Sequence, residues 1–290
     1  VREDATWAAV WPHDFKELAL FSLASALLVA DGGESGGFHA PSIAEFFPQV
    51  ILFEGTPFAL DRVMLVRIVA ATALVLIMVV VARRATLVPG RAQAAVEWLM
   101  DFVRKNVAEE VLGKDRARQF TPLLTTLFFA ILAFNITGVF IFLNIAGTSR
   151  IGLPLLFAVV AYVTYIAAGI QAKGVGGFLK SSLFPPGVPW FMYVLLTPIE
   201  LLQVFILRPA TLAIRLMANM VAGHLMLVLC FSATQFFLLS AGPALKAFSV
   251  ITLGAGFALT LFEIFVAALQ AYIFVILTAV YIDLSVSEEH

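Results

Sequence analysis

Charged residues divide this chain into long apolar stretches. No Lys, Arg, Asp or Glu occurs in 68–82, 119–149, 151–172, 181–199, 216–245, 247–262 or 264–282. A helix crossing a bilayer needs roughly 20 apolar residues at about 1.5 Å each, and several runs are long enough. Their Leu, Ala, Phe, Val and Ile follow no strict alternation, which argues against β-barrel strands. The pattern predicts a first span over Val63–Ala82, a second from Pro122 to Ile145 and a third over Leu153–Ala172. Two longer helical stretches follow, Trp190–Leu239 and Ala247–Tyr281, separated by a break at Gly242-Pro243. Both exceed the roughly 20 residues of one crossing, so they must tilt steeply, bend or leave the core.

Between the first two spans, residues 83–118 hold eight cations: Arg83, Arg84, Arg91, Arg104, Lys105, Lys114, Arg116 and Arg118. Here Ala94, Ala95, Trp98, Leu99, Phe102 and Val103 recur at helical spacing, with Glu97, Asp101, Arg104 and Lys105 between them. That is an amphipathic helix suited to a membrane surface, because Trp98 and Phe102 favour an interface. Lys173, Lys180 and the glycines at 174, 176 and 177 predict a second loop on the same side, and Pro185, Pro186, Gly187 and Pro189 break the chain after it. Positively charged loops face the cytoplasm. The N-terminus is then outside and the C-terminus inside after five crossings.

The expected class is an all-α integral membrane protein, with about five membrane-crossing helices and one amphipathic interfacial helix. It divides into an extracytoplasmic segment, 1–62, and a membrane domain, 63–290. The latter includes a cytoplasmic or interfacial helix within 83–121 and a tilted helical hairpin over 190–281. Two readings fit Leu18–Ala30, a signal-like segment or a short interfacial helix, and the acidic residues Glu3, Asp4, Asp14 and Glu17 before it weaken the first.

Composition narrows the chemistry. Hydrophobic residues make up 61% of the chain and charged residues 13%, too apolar for disorder, a coiled coil or a soluble domain. A net charge of −1 gives no reason for a nucleic-acid partner. The single cysteine, Cys230, excludes a disulfide framework and a cysteine-based zinc site. No GxxxxGK[ST], HExxH, GxSxG or Rossmann glycine run is present. The KGVGG at 173–177 is a lone glycine turn. No metal, cofactor or catalytic residue is expected of the chain by itself.

The informative residues are polar ones inside apolar runs, since an ionisable group at the bilayer centre costs upwards of about 2.5 kcal/mol. They are Arg208, Arg215, Asn219 and His224 in one helix, Glu263 and Gln270 in the last, and Glu200 near the start of the first of the pair. Arg215 has no acidic neighbour within a turn on either side, and Asn219 shares its face. An arginine stays charged at any accessible pH, so Arg215 asks for a carboxylate from elsewhere. Arg208 lies about 10.5 Å nearer the cytoplasmic end at helical rise, where it reaches the interface by snorkelling. His224, nine residues after Arg215, points to the opposite side of the helix. Glu263 and Gln270, seven apart, lie near one face. His224 and Glu263 thus suit a meeting between two helices, as a proton relay; a structural histidine bonded to a carbonyl is the alternative. Gln270 fits either transport or helix–helix hydrogen bonding. Glu200 fits either an exit path or the interface.

RPATLAIRLMANMVAGHL (208–225) resembles the signature helix of subunit a of F-type ATP synthases. That helix carries a Pro six residues before an essential Arg, an Asn four after it, and a Glu or His nine after it. AALQAYIFVILTAVYI (267–282) resembles the family's last helix, including its Gln at 270. Glu263 stands where the family places the complementing His or Glu, so the pair here reads His224 with Glu263. ARRATLVPGRAQAAVEWLMDFV (82–103), KGVGGFLK (173–180) and the terminal EEH are similar to the bacterial form, and the ANM-AGH wording is similar to actinobacterial members. The chain departs from the commoner pattern at Met217-Ala218, and its first 50 residues carry little resemblance.

The resemblance implies a non-catalytic stator subunit of the H+-transporting complex in a bacterial plasma membrane. Its partners would be a c-subunit ring, against which the tilted hairpin packs, b-type peripheral stalk subunits, protons and the lipid bilayer. Arg215 would face the ring carboxylates between two offset half-channels, with Asn219, His224, Glu263, Gln270 and Glu200 serving translocation and Pro209 and Thr211 supporting the helix. A secondary ion or solute transporter is the alternative, but only one polar hairpin is present, where such a fold has two matched halves. A purely structural scaffold explains the apolar runs and leaves Arg215 without a purpose.

Overall fold

The computed structural model describes residues 50–52, 60–86, 88–140, 145–184, 190–240, 242 and 245–287. The expectations for Leu18–Ala30 and for the break at 185–189 lie outside the described residues. Among the described residues the fold is all-α apart from one short antiparallel pairing of β1 (Val50–Leu52) with β2 (Leu60–Asp61). Among the described residues, five stretches are long and apolar enough to cross a membrane: Arg62–Arg83, Arg91–Ile136, Gly152–Leu183, Tyr193–Leu239 and Phe248–Val286.

Helix α1 (Arg62–Arg83) matches the first expected span. Its N-cap is Asp61, whose carboxylate accepts from the Met64 N–H at 2.8 Å, satisfying one of the helix's free donors. Only Val63, Val66 and Ala70 are buried. From Ile68 to Ala82 the surface carries no charge and is apolar apart from Thr72, as a lipid-facing helix requires.

The amphipathic helix is α2 (Arg91–Val103). It passes through a wider π-helical turn, Arg104–Glu109, into α3 (Glu110–Ile136). Leu99, Phe102 and Val103 turn inward while Trp98 stays 66% exposed. Gly113, at φ +75°, redirects the chain; the nearby space is open, so the backbone conformation alone demands glycine.

The second expected span ended at Ile145, and the structure corrects this. Helix α3 stops at Ile136 because polar side chains capture the turn beyond it. The Thr137 hydroxyl donates to Phe134 O at 2.7 Å and accepts from Gly147 N–H at 3.0 Å. The Thr148 hydroxyl donates to Asn135 Oδ1 at 2.6 Å. The Arg67 Nε on α1 donates to Gly147 O at 2.8 Å, and Arg150 pairs with Asp61.

A second correction concerns residues 173–180, expected as a loop. They are helical, within α4 (Gly152–Leu183), which bends at Gly174, φ +72°. Glycine allows the change of direction without ending the helix.

A single-turn 3₁₀ segment, Trp190–Met192, opens α5 (Tyr193–Leu202). A second π-helical turn, Gln203–Leu207, joins α5 to α6 (Arg208–Leu239). The last helix, α7 (Phe248–Val286), runs five residues past the expected Tyr281.

The chain forms two compact units. One includes Val228–Ala255, where the Thr234 and Thr252 hydroxyls lie 2.8 Å apart and Phe237 packs against Phe236 and Phe248. The other spans Ile43–Leu227 and Gly256–His290 and holds every candidate functional residue. Its core joins Leu124, Ile131, Tyr165, Leu216, Phe274, Val275 and Ile282. Small residues on α7, Ala267, Ala271 and Ala279, are fully buried, which lets neighbouring backbones approach closely.

Candidate functional site

Helix α6 presents two unlike faces. Leu212, Leu216, Met220, His224 and Leu227 are buried. Arg215, Asn219, Ala222 and Met226 are exposed. The helical repeat produces the split, since residues three or four apart share a face. Arg215 therefore projects away from the packed side. Among the described residues no carboxylate lies within ion-pair distance of it.

Helix α7 answers with Glu263 and Gln270, both 4% exposed. The Asn219 amide Nδ2 donates to Gln270 Oε1 at 3.0 Å, tying α6 to α7 one turn from Arg215. Glu263 lies against Gly223. A Cβ on that glycine would stand 2.9 Å from Glu263 Oε1 and 3.3 Å from its carboxyl carbon. The missing side chain is what lets the carboxyl in. Neither Glu263 oxygen meets a hydrogen-bond partner among the described residues. A buried polar atom left so costs about 1–3 kcal/mol, and such groups at membrane depth mark function more often than packing.

Arg215, Asn219, Gly223, Glu263 and Gln270 line one cavity of about 440 Å³, walled otherwise by apolar side chains such as Phe262 and Leu269. It is polar enough at one wall, and wide enough, to hold water. His224 is buried on the other side of α6 and is not part of this wall. It follows Gly223, against which Glu263 lies, and among the described residues no hydrogen bond reaches the Glu263 carboxyl.

Glu200 lies apart, in a second cavity of about 190 Å³ with Lys173, Ser181, Gln203, Arg208 and Ser285. The Arg208 guanidinium lies over the Tyr281 ring, 5.1 Å from the centroid, within cation–π range. Tyr165 also borders this cavity.

Pro209 and Thr211 act on the backbone between the two cavities. The Arg208 N–H bonds Gln203 O, five residues back, and Pro209 has no N–H to offer. The Val204 carbonyl therefore loses its usual helical donors, and the Tyr165 hydroxyl donates to it at 2.5 Å. The Thr211 hydroxyl donates to Leu207 O at 2.7 Å and Arg208 O at 3.1 Å.

Sequence reasoning overlooked Gly223, Tyr165 and Tyr281. A glycine in mid-helix beside a candidate histidine was the available signal for the first; nothing in the pattern marks the two tyrosines. Among the described residues no group of three His, Cys, Asp or Glu is placed to hold a metal ion.

Residues 64–283 match the family described as ATP synthase A chain. The chain belongs to that family. An ATP synthase subunit a from Rhodococcus erythropolis is 47% identical over 254 residues, covering 87% of this chain and 92% of the relative. One from Pseudarthrobacter chlorophenolicus is 35% identical over 261 residues, 90% of this chain and 97% of its own. A third, from Parafrankia, is 44% identical over 206 residues, 71% and 68% of the two chains. With its five long apolar helices, this member of the ATP synthase A chain family is a multi-pass bacterial membrane protein.

Proposed function

We propose that this chain is the proton-translocating subunit a in the membrane sector of an F-type ATP synthase. It acts there with the other membrane-sector subunits, a c-ring and b-type stalk subunits among them. The observation that carries the reading is Arg215: a permanent cation on the exposed face of an apolar helix, with no carboxylate at ion-pair distance among the described residues, beside a cavity shared with Asn219, Glu263 and Gln270.

An arginine so placed stabilises the charged form of a carboxyl group arriving protonated on another polypeptide, which favours release of its proton and then holds the carboxylate that remains. Its fixed charge repels protons, so two aqueous half-channels ending near it stay separate. Leakage past it would waste about 2.3 kcal/mol per elementary charge for every 100 mV across the membrane. The inlet half-channel runs by His224, Glu263 and Gln270, where Glu263 and His224 hand protons inward. The outlet runs by Glu200, on the side of the basic segments 83–118 and 173–180, which the positive-inside rule makes cytoplasmic. Asn219 and Gln270 hold α6 and α7 in register at the arginine. Tilting of the 190–281 hairpin along a curved ring follows from helices longer than one bilayer thickness.

Arg215→Ala in the assembled complex is expected to abolish proton-driven ATP synthesis while ATP hydrolysis by the soluble head continues. Coupled synthesis at the parent rate in that variant would end this reading.

A further inference from the structure

The polar cavity beside Glu200 and the helix bearing Arg215 meet at one hydrogen bond. The Tyr165 hydroxyl on α4 donates to the Val204 carbonyl at 2.5 Å. Tyr165 is 1% exposed. Its ring is fixed edge-on to Tyr162 and Tyr281 at centroid distances of 5.4 and 6.0 Å. Tyr281 in turn carries the Arg208 guanidinium. The bond is therefore aimed by packing from α4 and α7 together.

The carbonyl it reaches needs a donor for a definite reason. In the turn Gln203–Leu207 the Arg208 N–H reaches back to Gln203 O. The next residue, Pro209, has no N–H. Neither of the backbone groups that serve residue 204 in an α- or π-helix is available to it. A buried carbonyl without a donor favours a return to ordinary helical winding, with Arg208 bonding Val204 instead. Removing one residue's worth of slip rotates everything downstream by about 100°. Such a rotation would move Arg215 off the exposed face and drive it toward the side held by Leu212 and Leu216, which are 3% and 0% exposed.

We infer that Tyr165 is a positioning residue for Arg215, its hydroxyl holding the wide turn that Pro209 creates and so fixing which way the arginine points. This rests on the function proposed above for Arg215. The hydroxyl touches no translocated proton; it acts through the register of α6. Dependence on Pro209 is the signature. Where residue 209 carries an N–H, the Val204 carbonyl has a backbone donor and no longer needs the tyrosine.

The test uses the assembled complex in inverted membrane vesicles, with ATP-driven proton uptake and the amount of assembled complex measured together. Tyr165→Phe removes only the hydroxyl and is expected to slow proton uptake about tenfold at equal assembly, as displaced reacting groups do. The same substitution made in a Pro209→Ala background is expected to cost less than about twofold relative to Pro209→Ala alone, the coupling that two residues sharing one partner produce. An equal cost in both backgrounds, or no cost in either, overturns the inference. Should Tyr165→Phe lower assembly, the paired comparison per assembled complex still decides it. Arg215→Ala is run beside them. If it pumps normally the functional reading fails first, whereas if it is dead and Tyr165→Phe is indistinguishable from the parent, only the role of Tyr165 fails.

Discussion

Arg67 and Arg215 both sit in apolar helices, and the chain treats them in opposite ways. Arg67 is half-buried and spent: its Nε donates to Gly147 O at 2.8 Å and its Nη2 to Arg150 O at 3.3 Å, tying α1 to the turn after α3. Arg215 is exposed, with no ion pair among the described residues. A guanidinium that closes its hydrogen bonds within the chain is structure. One held out at membrane depth without them makes sense only through a partner. The sharpest way to break the contrast is to truncate each. Arg215→Ala should abolish proton-driven synthesis and leave the chain's thermal stability within about 0.5 kcal/mol of the parent. Arg67→Ala should do the reverse, keeping coupled synthesis in assembled complexes while lowering stability by about 2 kcal/mol, the worth of hydrogen bonds from a charged donor. Equal stability losses in the two variants would erase the distinction.

Gly223 sharpens the same comparison at the cavity wall. An added Cβ would press on Glu263 Oε1 at 2.9 Å. That atom ends a flexible side chain, so the carboxyl yields and the fold survives. Alanine in a helix interior is also favoured over glycine by about 0.5–1 kcal/mol. Gly223→Ala is therefore expected to match or exceed the parent in thermal stability while proton uptake falls about five- to tenfold through the displaced carboxyl. Parent-level uptake would remove Glu263's position from the mechanism.

How much of this was legible beforehand depends on which residues carry the information. The apolar runs mark the five long helices because burial in lipid leaves a one-dimensional trace. Helix ends are different. The stop at Ile136 depends on Asn135 and Thr137 meeting Thr148 and Gly147, contacts that spacing along the chain does not encode. Residues 173–180 read as a loop because three glycines usually end a helix, yet one, Gly174, supplies a bend inside one. At the site, Arg215 stands out from its neighbours alone, and opposite faces for Arg215 and His224 follow from helical spacing. The seat of Glu263 against Gly223 requires knowing which turn of α7 faces which turn of α6. The Tyr165–Val204 bond couples residues 39 apart through a carbonyl, a group every residue possesses and no sequence pattern flags.

The smallest expected effect lies at the other end of the Arg67 cluster, outside the spans. Burial at the start of α1 pushes the Asp61 carboxyl upward, but the Met64 N–H, the bonded Arg150 and the charge of Arg67 together outweigh it and hold it below the usual carboxylate range. A depressed value in the folded state means that the charged form is the one the fold favours. The resulting stability is fully present above the ordinary Asp value of about 3.9 and drains away as pH falls through the folded one. Asp61→Asn removes the charge but keeps an oxygen for the Met64 N–H, so only the part owed to Arg150 and Arg67 is lost. Thermal stabilities of parent and variant measured from neutral pH downward should differ by a constant amount until about pH 4 and converge below it. A gap that stays constant into strong acid would mean that the difference does not come from the Asp61 charge, and that Arg67 is held by its contacts to Gly147 O and Arg150 O without it.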